Sequence, residues 1–143
     1  MNMNMMINHE IMPMLIIGIV SGLLSSMNIW IDKVDDIRFS INDCYMSVLM
    51  TGWMFLLYGI YYKQMNQIYV GIVFVVLSLI AIRTQFLIDK PNFIDGMIPH
   101  HSMAIFMSKK LKEKNEEPEL NKFLDNIINA QSQEIIIMKN NEI

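Results

Sequence analysis

The sequence predicts an all-α protein in which three transmembrane helices precede an antiparallel two-helix domain. Three observations carry that expectation. Long uncharged apolar runs dominate the chain before Lys90. Charged residues make up only 17% of the 143 residues, and the shortage falls almost wholly in that first part, whereas a soluble domain carries about a quarter. Beyond Lys90 the composition turns polar, with apolar residues at helical spacing on either side of a proline-bounded turn.

The first run, Met12 to Trp30, carries no charge and approaches the roughly 20 residues that cross a bilayer as a helix. Pro13 suits a first helical turn, and Trp30 suits a membrane interface. With no Lys or Arg before it and no small-residue cleavage site after it, the run does not read as a signal peptide. A polar stretch, Ile31 to Asp43, separates it from a second run, Cys44 to Tyr62, whose ends carry tyrosines. The third starts near Ile68. Its β-branched residues resemble those of a buried strand, but a lone strand cannot satisfy its backbone in lipid, so helix is expected. Arg83 marks the hydrocarbon edge, where its long side chain can reach water. The expected organisation is a Met-rich tail over 1–11, a membrane anchor over 12–89 with spans at about 12–30, 44–62 and 68–88, and a helical domain over 90–143.

Pro91 biases Lys90 away from helical geometry and places a boundary there. One helix is expected from about Asn92 to Glu113, kinked at Pro99. The turn is "KNEEPE", and a second helix runs from about Pro118 to Lys139.

Composition narrows function. A net charge of −3 and a pI near 5.5 give no reason to expect a nucleic-acid partner. The single cysteine, Cys44, excludes an internal disulfide. Fifteen methionines are the unusual feature. Methionine fills apolar helices, but thioethers are also soft metal ligands.

The segment Met97–Met107, "MIPHHSMAIFM", sets Met97, His100, Met103 and Met107 on one helical stripe with His101 beside it. The second helix offers Ile127, Gln131, Glu134 and Met138. A fold-back near Glu116–Glu117 opposes His100 to the neighbourhood of Gln133 and Met97 to that of Ile136. Two imidazoles, a carboxylate, an amide and two thioethers then gather at the open end of a hairpin. Histidine suits many transition metals and thioether favours Cu(I), while Glu134 could fix a histidine tautomer from outside the ligand set. The same residues can instead hydrogen-bond among themselves, and the methionines can fill the core. Further candidate ligands are Met103, Met107, His9 and Met12. Met46, Met50 and Met54 form a stripe in the second span, which reads first as helix packing.

"MIPHHSMAI" followed by "NIINAQSQEIIIMK" resembles the domain-of-unknown-function 305 family. The resemblance covers about Phe93 to Met138, with Met97, His100, His101, Gln131, Glu134 and Met138 at motif positions. "YMSVLM" and "RTQ" upstream are similar to a membrane-anchored subgroup. The resemblance implies a ferritin-like helical domain and copper binding through methionine and histidine. Two departures stand out: Lys90 occupies a position where an aspartate is common, and a tryptophan that often follows the final methionine is missing.

The expectation is therefore a multi-pass integral membrane protein that binds copper, or silver or another soft metal, for buffering, resistance or handover. Its partners are the lipid bilayer, the metal ion, and a second copy or another membrane protein. The alternative is a structural or interaction module whose His–Glu cluster fixes helix register. No enzyme is expected, because paired-iron sites need Glu-x-x-His motifs on facing helices and no hydrolytic motif is present. Lys33, Arg38, Arg83 and Lys90 flank one membrane face, and the positive-inside rule would make that face cytoplasmic. The resemblance implies an extracytoplasmic C-terminal domain; the two readings conflict and the side stays open, with a slight lean to the resemblance.

Overall fold

The computed structural model describes residues 3–140, with side chains described from Ile11 onward. Among them every regular element is helical. Five helices, α1 (Met3–Leu24), α2 (Ile41–Tyr62), α3 (Met65–Thr84), α4 (Lys90–Lys112) and α5 (Pro118–Lys139), are joined by loops with short 3-10 turns at Met27–Trp30 and Val34–Asp36. The chain forms two compact units, Met1–Ser26 with Ile41–Ile88, and Met27–Ser40 with Asp89–Ile143.

In the first unit, three segments are long and apolar enough to cross a membrane: Ile11–Trp30, Ile41–Tyr62 and Met65–Thr84. Phe55 and Val75 are buried in this unit, and polar side chains are buried with them. Ser47, Thr51, Gln67 and Ser78 are buried, whereas Leu57, Ile60, Val76 and Leu77 lie exposed. Small residues let the backbones approach, as in membrane helices generally. A Cβ on Gly22 would stand 2.4 Å from Ser47 Oγ, and one on Gly71 would stand 2.5 Å from the Leu56 nitrogen. Ser47 Oγ donates to the Ile19 carbonyl at 2.7 Å, so this close approach also satisfies the hydroxyl.

Several boundaries differ from the sequence expectation. α1 begins at Met3, so backbone expected as tail is already helical. α2 starts at Ile41 and takes in Asp43, because a carboxylate in a first turn is favourable. α3 covers Met65–Thr84 and stops one residue after Arg83, where Gln85 takes a left-handed conformation at φ 49°. α4 starts at Lys90, before the expected Asn92, because Asp89 is its N-cap: the carboxylate accepts from the Asn92 N–H at 3.0 Å. That bond, with a second donated by the Asn92 side-chain amide, holds the Asp89 carboxyl below its ordinary range. Pro91 occupies the first turn, where its missing N–H costs nothing. α4 continues through Pro99. α5 spans the expected Pro118–Lys139.

In the second unit α4 and α5 run antiparallel. Lys112 pairs with Asp125 at 2.5 Å near the turn, and His101 meets Glu134 farther along. The core is Ile94, Ile98, Ile105, Ile135 and Met138, with Met97 and Ile128 packed against it. The buried stripe of α4 therefore lies about one residue away from the methionine stripe read from the sequence. Isoleucines at both ends of the helix outcompete methionines for the interior, and the rotation carries His101 inward and His100 outward.

The segment Met27–Ser40 completes this unit. Asn28 and Arg38 close it reciprocally: Asn28 Nδ2 donates to the Arg38 carbonyl at 2.7 Å, and the Arg38 N–H donates to Asn28 Oδ1 at 3.1 Å. Ser102 Oγ accepts from the Asp32 N–H at 2.9 Å and donates to Asp36 Oδ2 at 2.6 Å. Lys139 reaches Asp36 Oδ1 at 2.6 Å, and Lys109 reaches Asp32 at 2.7 Å. Trp30 packs edge-on against Phe106. Asp36 is only 2% exposed, so its charge is tolerable because both oxygens are hydrogen-bonded.

Candidate functional site

α4 positions the histidine pair one turn after Met97, and α5 presents Gln131, Glu134 and Met138 along the facing helix. His101 is 9% exposed, whereas His100 stands exposed with its ring centroid 5.9 Å from that of His101. His101 Nδ1 lies 3.0 Å from Glu134 Oε2, yet its direction does not meet hydrogen-bond geometry. The contact is one of proximity, and Nδ1 is buried without a hydrogen-bond partner among the described residues. Buried polar atoms are rarely left so. Burial holds the His101 imidazole below its ordinary range. Glu134 pulls the other way, and His100 adds to the lowering. The imidazole is therefore neutral near pH 7, the form in which histidine binds metals.

The remaining sequence candidates divide. Met138 is buried in the apolar cluster, and Met97 packs against that cluster. Glu134 keeps half of its side chain in water. Gln131 and Met103 are partly exposed, while Met107 and Met12 are exposed. The His9 side chain lies outside the described residues. In α2, Met46 and Met50 point outward. No group of three or more His, Cys, Asp or Glu side chains able to hold a metal occurs among the described residues. The polar groups that meet at His101 are an imidazole nitrogen and a half-solvated carboxylate. A hard ion would require several convergent oxygens. Nitrogen with thioether sulfur suits a soft one.

Sequence reasoning overlooked Asp36, Ser102 and Lys139. Burial pushes the Asp36 carboxyl up, but hydrogen bonds from Lys139 and Ser102, with the charges of Lys139 and Lys33, outweigh it and hold the group below its ordinary value. Ser102 adjoins His101 and Lys139 adjoins Met138, so this network grips the hairpin beside the candidate site. The available signal was "DKVDD", an acidic run within a chain poor in charge.

Three helices long and apolar enough to cross a bilayer, with a hairpin that carries a histidine pair at its waist, fit by length and composition the class of multi-pass helical membrane proteins with a small polar domain. Within that class the chain belongs to the family of the domain of unknown function DUF305, whose model matches residues 86–141. It is 40% identical over 133 residues to an uncharacterized protein of Acanthamoeba polyphaga mimivirus, covering 90% of this chain and 88% of that one. A match of that extent takes in candidate membrane spans as well as the hairpin. No solved structure matches the chain.

Proposed function

We propose that this protein is a membrane-anchored binder of a soft metal ion, copper(I) first among them, that buffers the ion, confers resistance to it or hands it on. The observation that supports this reading is the buried, unpartnered Nδ1 of His101 beside Glu134, in a hairpin whose apolar cluster includes Met138 and packs against Met97. His101 would supply the inner nitrogen. His100, one residue away and exposed, would supply a second after a side-chain rotation or stand at the entrance. Met97 and Met138 would supply sulfur, and Glu134 and Gln131 would orient the imidazoles. The hairpin would then be a ferritin-like fragment on the extracytoplasmic side. No catalytic step is proposed.

One observation favours a second reading. Met97 and Met138 serve the apolar cluster as they stand, and His101 with Glu134 already forms a cross-helix contact. On that reading the hairpin is an interaction module, and these residues fix its register.

Copper content decides between them. Full-length protein purified from copper-supplemented cells should retain close to one copper per chain. A His100→Ala/His101→Ala variant of equal helicity should retain almost none. Equal and negligible copper in both would leave only the interaction module.

A further inference from the structure

The segment Met27–Ser40 wears its polarity inside out. Asp36 and Ser40 are each 2% exposed, and Asp32 keeps 12% of its side-chain surface in water. Against these, Val34 is 78% exposed, and Ile29, Trp30, Ile37 and Phe39 are each at least half exposed. A loop in water does the opposite, since exposed connections are polar and apolar side chains seek the interior. Clustered exposed apolar residues mark an interaction site.

Connectivity states what the partner is. The segment begins inside the candidate span Ile11–Trp30, whose end Met27–Trp30 it shares, and enters the next at Ile41, so both of its ends are tied to membrane helices. The same unit is tied a third time, through Ile88–Asp89, to the end of α3. The segment's first and last residues are therefore tied to the headgroup region. Tryptophan favours that region, and Lys33, set among the apolar residues, suits lipid phosphates, while Arg38 is engaged by Asp95 and by the Asp35 and Ile37 carbonyls.

We infer that Met27–Ser40 is a two-faced strap: its carboxylates clasp α4 and α5, and Ile29, Trp30, Val34, Ile37 and Phe39 insert into the lipid interface. The strap thereby holds the DUF305 hairpin against the bilayer surface. This role does not depend on metal binding.

The test uses the full chain in nanodiscs of phosphatidylcholine with a minority of phosphatidylglycerol, which leave both faces accessible. With Cys44→Ser as background, Val34→Cys and Ile37→Cys each carry a fluorescent bimane. Nitroxide on the upper acyl chain of the lipid should quench both probes at least threefold more than iodide in the water does. Strong quenching by iodide with none by nitroxide lipid would overturn the proposal. Protection from both quenchers would overturn it as well, by showing that a protein, such as a second copy, covers the face. Circular dichroism and Lys109→Glu, which breaks the clasp on Asp32 but keeps the apolar face, guard against misfolding: intact lipid quenching in that variant is expected, and its loss would mean that the apolar residues alone do not hold the strap in place.

Discussion

Ser102 Oγ donates a 2.6 Å hydrogen bond to the buried carboxylate of Asp36, 66 residues earlier in the chain. The same hydroxyl accepts from the Asp32 N–H, so one serine on α4 closes the Met27–Ser40 segment upon the hairpin. Asp36 also holds Lys139 on α5. Asp36→Ala removes the carboxylate that joins three segments. Breaking a buried pair costs roughly 3–5 kcal/mol, and because Lys139 is partly solvated the lower end, about 3 kcal/mol, is expected. Ser102→Ala should cost about 1–2 kcal/mol by stranding the carboxylate oxygen. Denaturant unfolding in mild detergent, followed by circular dichroism, measures both. A loss below about 0.5 kcal/mol for Asp36→Ala would mean that the network does not stabilise the unit.

The same carboxylate sets a pH dependence. Its folded pKa lies below the ordinary value of 3.8. The unfolded chain therefore binds the proton more readily, and protonation favours unfolding. The stabilisation is complete above about pH 5 and disappears as pH falls through 3.8 toward the lower folded value. Thermal melts from pH 6 to pH 3 should show this fall in the wild type and a shallower one in Asp36→Asn.

The two histidines should separate. His101 faces inward and His100 outward, so His101→Ala should reduce Cu(I) affinity at least tenfold more than His100→Ala. The depressed His101 pKa means that proton competition begins below the ordinary histidine value of about 6.5. Affinity should stay level from pH 7.5 to 6.5 and fall at lower pH. A chelator competition series checks this, and level affinity down to pH 4.5 would remove His101 from the ligand set.

Met97→Leu and Met138→Leu keep volume and apolarity, and each should change stability by less than about 1.5 kcal/mol. As thioether ligands they should nonetheless weaken Cu(I) binding in the same chelator assay. Unchanged affinity in the double variant would favour the interaction module.

Gly22 is where α1 and α2 touch. A Cβ there would come within 2.6 Å of the Ser47 Cα, a backbone atom that cannot swing aside. Gly22→Val should therefore separate the helices and cost about 1–3 kcal/mol. Gly96→Ala in α4 provides a comparison outside this contact. Gel mobility and thermal aggregation in detergent report the difference.

Length and charge by themselves determined the membrane part, because an uncharged run of about twenty residues has few fates other than a spanning helix. Proline placement likewise determined the hairpin turn and the span of α5. The motif identified the family on residues that the family model covers. Tertiary structure decided the rest. Periodicity could not choose between two stripes on α4 one residue apart. The choice fell to Ile94, Ile98 and Ile105, which pack with Ile135 and Met138 in the core, and the same face carries His101 inward. Nor could local sequence show that "DKVDD" is structural. A charged loop beside a span reads as solvated until its partners are known, and those of Asp36 stand on two helices far along the chain. Burying a carboxylate requires donors that only the folded chain brings together.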